Sequence, residues 1–162
     1  HNLVFNYGSV PLDQSTTGGA EEFVRFLEDK VFKYVENEYL TKSSSRGIFG
    51  HSLGGLFGFY AFLNHPDLFS NYILIAPAIW WNQSELLADK ATFISKSESN
   101  MFVAMGTNEI KMMKEPMLTF IQYLKQEENS KLNMIYREYE NEDHHSVLPQ
   151  SIYDAIEFVY IF

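Results

Sequence analysis

The chain has 162 residues, of which 46% are hydrophobic and 20% charged, a composition typical of one soluble globular domain over residues 1–162. The formal net charge of -9 disfavours nucleic acid or an anionic membrane surface as a partner, and no apolar run approaches the roughly 20 residues that a bilayer span needs. The absence of cysteine excludes a disulfide framework, a thiolate nucleophile and cysteine metal sites, and it fits both the bacterial cytoplasm and the periplasm.

The first half of the chain predicts a helix, a strand and a second helix, in that order. Apolar residues recur at helical spacing over residues 21–40, after a Gly-Gly break, which predicts an amphipathic helix. Residues 46–49 are typical of a short strand, and the glycine-rich residues 50–55 turn from it into an apolar helix that runs to about Leu63. Pro66 follows the end of this helix, because proline disfavours the helical conformation of the residue before it.

The second half alternates strands with helices. Residues 72–76 form a continuous apolar run, as expected of a strand buried on both faces. Residues 132–139 alternate apolar and polar side chains, which favours a strand nearer the edge of the sheet. A further strand is predicted at residues 101–105, and helices are predicted at residues 84–93, capped by Ser84, at residues 116–126, with Pro116 in the first turn, and at residues 148–159.

This order of elements predicts an α/β fold with a mostly parallel sheet and helices on both faces. In sheets of this kind ligands gather at the carboxyl ends of the strands. Three of the loops that leave those ends carry a serine, a carboxylate and a histidine, namely Ser52, Glu109 and His144. The sequence therefore predicts a site for nucleophilic catalysis at this edge of the sheet.

Ser52 lies in the pattern Gly50-x-Ser52-x-Gly54. We expect glycine at positions 50 and 54 because a side chain at either would clash in a sharp strand-to-helix turn that exposes the serine. The helix that follows directs its N-terminal amides at the site, which makes the N–H of Leu53 a candidate oxyanion donor. About one chain in twenty of this length would carry the pattern by chance, and the alternative interpretation of Ser52 is a helix N-cap.

A serine hydroxyl attacks a carbonyl carbon only when a base accepts its proton, and the base needs a carboxylate to fix its tautomer. His144 or its neighbour His145 is the candidate base. Glu109 is the candidate acid, and its alternative is a solvated loop carboxylate near Lys111. Asp143 competes for the acid role, but a residue adjacent to His144 is poorly placed to reach its ring nitrogen in the required orientation.

Three further residues are candidates for substrate binding. His51 precedes the serine, and we expect its side chain to point away from Ser52 at the tight turn and to pack or line a pocket. Trp80 and Trp81 come just after a strand end. They are candidates for a pocket wall, and core packing is the alternative for both.

A metal site is the alternative of a different class. Its potential ligands are His144, His145, Glu142 and Asp143. Adjacent residues rarely converge on one metal ion, and the chain has no His-Glu-x-x-His helix, so we expect no metal.

Three segments resemble a known group. Residues 50–58 (GHSLGGLFG), 64–69 (NHPDLF) and 76–81 (APAIWW) are similar to the putative esterase (esterase D-like) family of α/β-hydrolases, nearest the branch with siderophore esterases. The resemblance runs over essentially the whole chain and implies the α/β-hydrolase fold. It places the nucleophile on Ser52 and the acid on Glu109. The family's His-Gly-Ser pattern falls on residues 144–146, which implies that His144 is the base.

The resemblance implies hydrolysis of a small-molecule carboxylic ester through an acyl-enzyme, without a cofactor. Branches of the family act on siderophore lactones, small acyl thioesters, and acetyl or feruloyl groups on polysaccharides. A non-catalytic binding module or an inactive fragment of the same fold is the alternative, and no oligomeric state is indicated.

The sequence departs from the family at its N-terminal side. Family members have several strands before the first helix predicted here, and the loop after one of them supplies a second oxyanion donor. A sheet of about four strands would leave one central edge bare, which favours aggregation. We therefore expect these residues to be the C-terminal portion of a longer protein.

Overall fold

The structure is a computed structural model that describes residues 6–7, 10–11, 18–88, 97–125 and 131–160. The chain divides into two units, His1–Thr41 and Lys42–Phe162. The candidate residues Ser52, Glu109 and His144 all belong to the second unit. None of the described helices combines the length and the apolar character that crossing a bilayer requires.

The first unit contains a short hairpin and a helical stretch. Strands β1 (Asn6–Tyr7) and β2 (Val10–Pro11) pair antiparallel. Helix α1 (Ala20–Phe26) continues through a π-helical turn (Leu27–Phe32) into α2 (Lys33–Glu38), so the helix predicted over residues 21–40 is present. Its periodic aromatic side chains are exposed rather than buried, namely Phe23, Phe26 and Tyr34.

The second unit is built on a parallel sheet of four strands. They are β3 (Gly47–His51), β4 (Asn71–Ile75), β5 (Ser99–Gly106) and β6 (Leu132–Tyr139), in the order β3-β4-β5-β6. The predicted parallel sheet is confirmed, and β6 is an edge strand as expected. Among the described residues no strand pairs with the outer edge of β3.

Helices follow each strand of this sheet. α3 (Leu53–Asn64) follows β3, and α5 (Lys111–Leu124) lies between β5 and β6. α6 (Leu148–Tyr160) follows β6, and the short α4 (Trp81–Ser84) continues into a 3₁₀ turn (Glu85–Leu87) after β4.

α3 and α6 cover opposite faces of the sheet. The ring of Phe62 in α3 stands edge-on to Tyr72 of β4, with centroids 5.5 Å apart. Ile73, the next residue of β4, belongs instead to a buried cluster that contains Val159 of α6. Because successive strand residues point to opposite faces, the two helices lie on opposite sides, and the prediction of helices on both faces is confirmed.

The helix predicted at residues 84–93 is misplaced. The helical turn begins at Trp81 and ends at Ser84. Ser84 makes no capping hydrogen bond and adopts a left-handed conformation with φ 59°. Its geometry is that of a turn between two short helices rather than of an N-cap, and residues 89–93 lie outside the described residues.

The prediction that Pro116 lies in a first turn is also wrong. Helix α5 begins at Lys111, so Pro116 lies inside it. The helix starts early because the extended Ile110 offers its carbonyl to the N–H groups of Met113 and Lys114, at 2.9 and 3.1 Å. The helix predicted at residues 148–159 is present as α6, in which Ile156 is 44% exposed.

Candidate active site

Ser52 occupies the turn between β3 and α3 in a strained backbone conformation. Its φ of 56° and ψ of -116° are unusual for a residue with a side chain, and such strain costs about 1–3 kcal/mol unless surrounding contacts impose it. The N–H of Ser52 donates to the carbonyl of Ile75 in β4 at 3.1 Å. Its carbonyl accepts from Leu56 and Ala78, both at 3.0 Å. The neighbouring strand and the helix thus hold this turn from both sides.

The hydroxyl of Ser52 does not cap the helix that it precedes. Ser52 is the N-cap residue of α3, yet its side chain makes no capping hydrogen bond. Ser52 therefore occupies the N-cap position, but its hydroxyl does not have the capping role that the alternative interpretation gave it.

The two glycines of the motif have different roles. A Cβ added at Gly50 would overlap the carbonyl group of Gly54 in the first turn of α3, so this position requires glycine. A Cβ at Gly54 would meet no atom within 4 Å. The prediction that a side chain would clash at both positions is correct at Gly50 and wrong at Gly54, because a Cβ at Gly54 would point into open space.

Alanine substitutions at these glycines form a matched pair. We expect Gly50→Ala to lower the free energy of unfolding by about 3 kcal/mol or more, since the new methyl group collides with backbone. Gly54→Ala is expected to change it by about 1 kcal/mol or less, with helix propensity favouring alanine. Urea unfolding monitored by circular dichroism measures the free energy of unfolding of both variants. Equal unfolding midpoints would contradict the conclusion that Gly50, and not Gly54, lies against backbone atoms.

Glu109 and His144 form a buried hydrogen-bonded pair. Oε1 of Glu109 lies 2.7 Å from Nδ1 of His144, and the two side chains are only 1% and 11% exposed. Oε2 of Glu109 is buried without a hydrogen-bond partner among the described residues. Lys111, near which a solvated Glu109 would lie, pairs with Glu115 instead. The carboxylate therefore depends on His144 for compensation of its burial.

The geometry of this pair selects one tautomer of His144. A carboxylate oxygen only accepts hydrogen bonds, so Nδ1 of His144 carries the proton that it donates to Glu109. In the neutral ring Nε2 then keeps its lone pair. A ring held in this way can accept a proton at Nε2 and share the resulting charge with Glu109.

Backbone and amide hydrogen bonds join the loop after β5 to the loop after β6. Thr107 N–H donates to Tyr139 O at 2.9 Å, and Asn108 N–H donates to Glu142 O at 2.9 Å. The side chains of Thr107 and Asn108 bond to the backbone of Asn141, at 2.9 and 3.0 Å. These contacts hold the loops of Glu109 and His144 together. No motif in the sequence predicts these contacts, and the polar run that follows β5 is their only signal.

Asp143 is engaged by its own loop. Its Oδ1 accepts from the N–H groups of His145 and Ser146, each at 2.9 Å, and its own N–H donates to Oγ of Ser146 at 2.9 Å. The hydrogen bonds from Ser146 and His145 lower the pKa of Asp143. Asp143 thus closes the turn that carries His144, whereas Glu109 contacts the ring.

His51, the residue before the nucleophile candidate, contacts the loop that carries His144. Its Nε2 is 2.8 Å from the backbone carbonyl of His144. Its ring centroid is 4.6 Å from that of His144 and 6.0 Å from that of His145. The structure therefore brings His51, the neighbour of Ser52 in the sequence, against the loop of the Glu109–His144 pair.

The remaining candidates lie at the first turns after β3 and β4. Leu53 is the first residue of α3, where a backbone N–H has no partner within the helix.

Trp80 and Trp81 pack edge-on, with centroids 5.6 Å apart, and both are partly buried. Neither tryptophan is enclosed in the core, and the hydrogen bond from Ala78 to Ser52 places their segment beside the serine turn.

The described residues contain no cluster of three histidine, aspartate or glutamate side chains that could hold a metal ion. Two of the four ligands considered from the sequence have other partners, since His144 bonds to Glu109 and Asp143 bonds to its own loop.

Comparison with known proteins gives one family. The model described as "Putative esterase" matches residues 5–147. The chain is 31% identical over 149 residues to the ferri-bacillibactin esterase BesA of Bacillus subtilis (strain 168), covering 87% of this chain and 52% of that protein. The chain therefore spans about half the length of this curated relative.

Two solved structures share the fold. The BES protein from Bacillus cereus has a TM-score of 0.83 and 29% identity, covering 96% of this chain and 62% of that one. An IroE-like serine hydrolase from Shewanella oneidensis has a TM-score of 0.79 and 25% identity, covering 86% of this chain and 47% of that one.

Proposed function

The chain belongs to the putative esterase family of α/β-hydrolases, and from this premise we propose that it hydrolyses carboxylic esters, with Ser52 as the nucleophile that carries the acyl group. The observation that carries the proposal is the buried hydrogen bond between Glu109 and His144 at 2.7 Å. The loop of His144 contacts His51, and the next residue, Ser52, is held in a strained strand-to-helix turn. Strain of this kind is concentrated at functional sites.

In the first half of the proposed reaction, Oγ of Ser52 attacks the ester carbonyl carbon while Nε2 of His144 accepts the hydroxyl proton. Glu109 holds the ring by its Nδ1 and stabilises the imidazolium that forms. The N–H of Leu53 donates to the oxygen on which negative charge develops. The carbon–oxygen bond then breaks, and the alcohol leaves with the proton that His144 returns.

In the second half, a water molecule takes the place of the alcohol. His144 accepts a proton from the water as the water attacks the acyl carbon, and it returns a proton to Oγ of Ser52 when the carboxylic acid leaves. Proton transfers at one histidine thus serve both halves, and the chemistry requires no metal or cofactor.

The proposed substrate class is a siderophore ester. Its support is the similarity to the ferri-bacillibactin esterase BesA of Bacillus subtilis. Trp80 and Trp81, partly buried beside the serine turn, present aromatic surface that suits a bulky aromatic acyl or alcohol group.

Activity toward two esters tests this proposal. The protein is expected to hydrolyse a siderophore lactone with a kcat/KM about tenfold above that for a short-chain nitrophenyl ester, since an added aromatic contact contributes on the order of 1 kcal/mol. Trp81→Ala is expected to reduce this preference and to leave hydrolysis of the small ester nearly unchanged. Equal kcat/KM values would exclude the siderophore preference. A folded protein that hydrolyses neither ester would favour the binding module or the inactive fragment considered from the sequence.

A further inference from the structure

His51 connects two parts of the site that the sheet itself leaves apart. β3, which ends at His51, and β6, which precedes the loop of His144, are the two outermost strands of the four-stranded sheet. No ladder of backbone hydrogen bonds therefore joins them. The hydrogen bond between Nε2 of His51 and the carbonyl of His144, at 2.8 Å, crosses this gap.

That hydrogen bond determines which ring nitrogen of His51 carries a proton. A carbonyl oxygen only accepts, so His51 must carry its proton on Nε2. Partial burial lowers the pKa of His51, and the ionisable groups that face it are His144, His145 and Glu109. The lowered pKa favours the neutral ring, in which Nε2 is the donor and Nδ1 carries no proton.

A neutral ring at this position suits a base that becomes charged. The ring centroids of His51 and His144 are 4.6 Å apart. A protonated His51 at that distance would oppose the positive charge that His144 acquires when it accepts a proton. The neutral ring holds the backbone of His144 without this repulsion.

We infer that His51 is a positioning residue, which holds the loop of His144 over Ser52 through the His144 carbonyl while Glu109 holds the ring through Nδ1. The inference rests on the proposed function, because it assigns His51 a role in placing the base of that reaction. His51 restrains the backbone from the β3 side and Glu109 restrains the ring from the β5 side. Two restraints from different strands fix both the position and the rotation of one imidazole.

Two substitutions separate the hydrogen bond from the bulk of the ring. His51→Gln places an amide N–H donor near the position of Nε2, whereas His51→Leu keeps an apolar side chain without a donor. We expect His51→Leu to lower kcat about 100-fold with KM changed by less than about threefold, as for a base misplaced by about 1 Å. His51→Gln is expected to recover most of that loss. His65→Leu, a histidine at the far end of α3, is the matched control and is expected to behave like wild type.

A second measurement does not depend on activity. In the ¹⁵N-histidine NMR spectrum of the wild-type protein, His51 is expected to show the Nε2–H tautomer. The Nδ1 proton of His144, bonded to Glu109, is expected at low field in wild type and His51→Gln and to be exchange-broadened in His51→Leu. This measurement remains informative if the leucine variant is too unstable for kinetics.

Several results would overturn the inference: an Nδ1–H tautomer at His51, wild-type kcat in His51→Leu, or equal losses in the glutamine and leucine variants. A wild-type protein without Ser52-dependent turnover would contradict the proposed function instead. In that case the NMR result alone decides whether His51 positions the loop.

Discussion

Ser52→Ala is expected to lower kcat for ester hydrolysis by about 10⁴- to 10⁶-fold, because loss of the nucleophile removes the covalent route and leaves only binding and oxyanion stabilisation. The stability of the protein should change little. The hydroxyl makes no capping hydrogen bond, so its removal leaves the helix start as it was. The backbone of the turn is held by bonds to Ile75, Leu56 and Ala78, which do not involve the side chain.

The chain offers a matched control for this substitution. Ser84 also has a positive φ, 59° against 56° for Ser52, but it is the last residue of the short helix α4. Ser84→Ala therefore removes a serine hydroxyl from another position of positive φ and should keep wild-type turnover. A fluorophosphonate, which labels activated serines, should add one label to wild type and to Ser84→Ala and none to Ser52→Ala, as read by intact mass. Turnover by Ser52→Ala above about a tenth of wild type would reject the serine nucleophile.

Glu109→Gln is expected to lower kcat by about 10⁴-fold, the size of effect seen when a triad carboxylate becomes an amide. Glutamine can turn its NH₂ group toward Nδ1 of His144, which would favour the opposite tautomer and occupy Nε2 with a proton. It also removes the negative charge that compensates the imidazolium. The side chain of Glu109 is only 1% exposed, so water cannot replace it readily.

Asp143→Asn is the control for the acid. Asparagine keeps an oxygen that can accept from the N–H groups of His145 and Ser146, as Asp143 does at 2.9 Å. We expect its kcat within about threefold of wild type, since it retains the turn and does not contact the His144 ring. If Asp143→Asn loses more activity than Glu109→Gln, then Asp143 is the acid and the assignment of Glu109 is wrong.

Local sequence patterns were sufficient for most of the sheet. The strand predicted at residues 132–139 coincides with β6, because alternating side chains mark an edge strand without help from distant residues. The serine turn was also predictable, because the pattern Gly50-x-Ser52-x-Gly54 is typical of a sharp strand-to-helix turn. The structure shows that glycine is required at position 50, where the backbone of Gly54 lies against it. The start of α5 was not, because the extended Ile110 and its carbonyl, rather than the proline, define the first turn.

The sequence by itself determined an α/β fold with a parallel sheet and the residue types of the candidate site. Each depends on short-range order: strand and helix periodicity, and a glycine motif between a strand and a helix. Only the tertiary structure decided which carboxylate meets His144, because Glu109 and His144 are 35 positions apart and meet where the ends of β5 and β6 converge. It also gave His51 its contact with the His144 carbonyl, 93 positions away, since contacts between strand ends depend on the order of strands in the sheet.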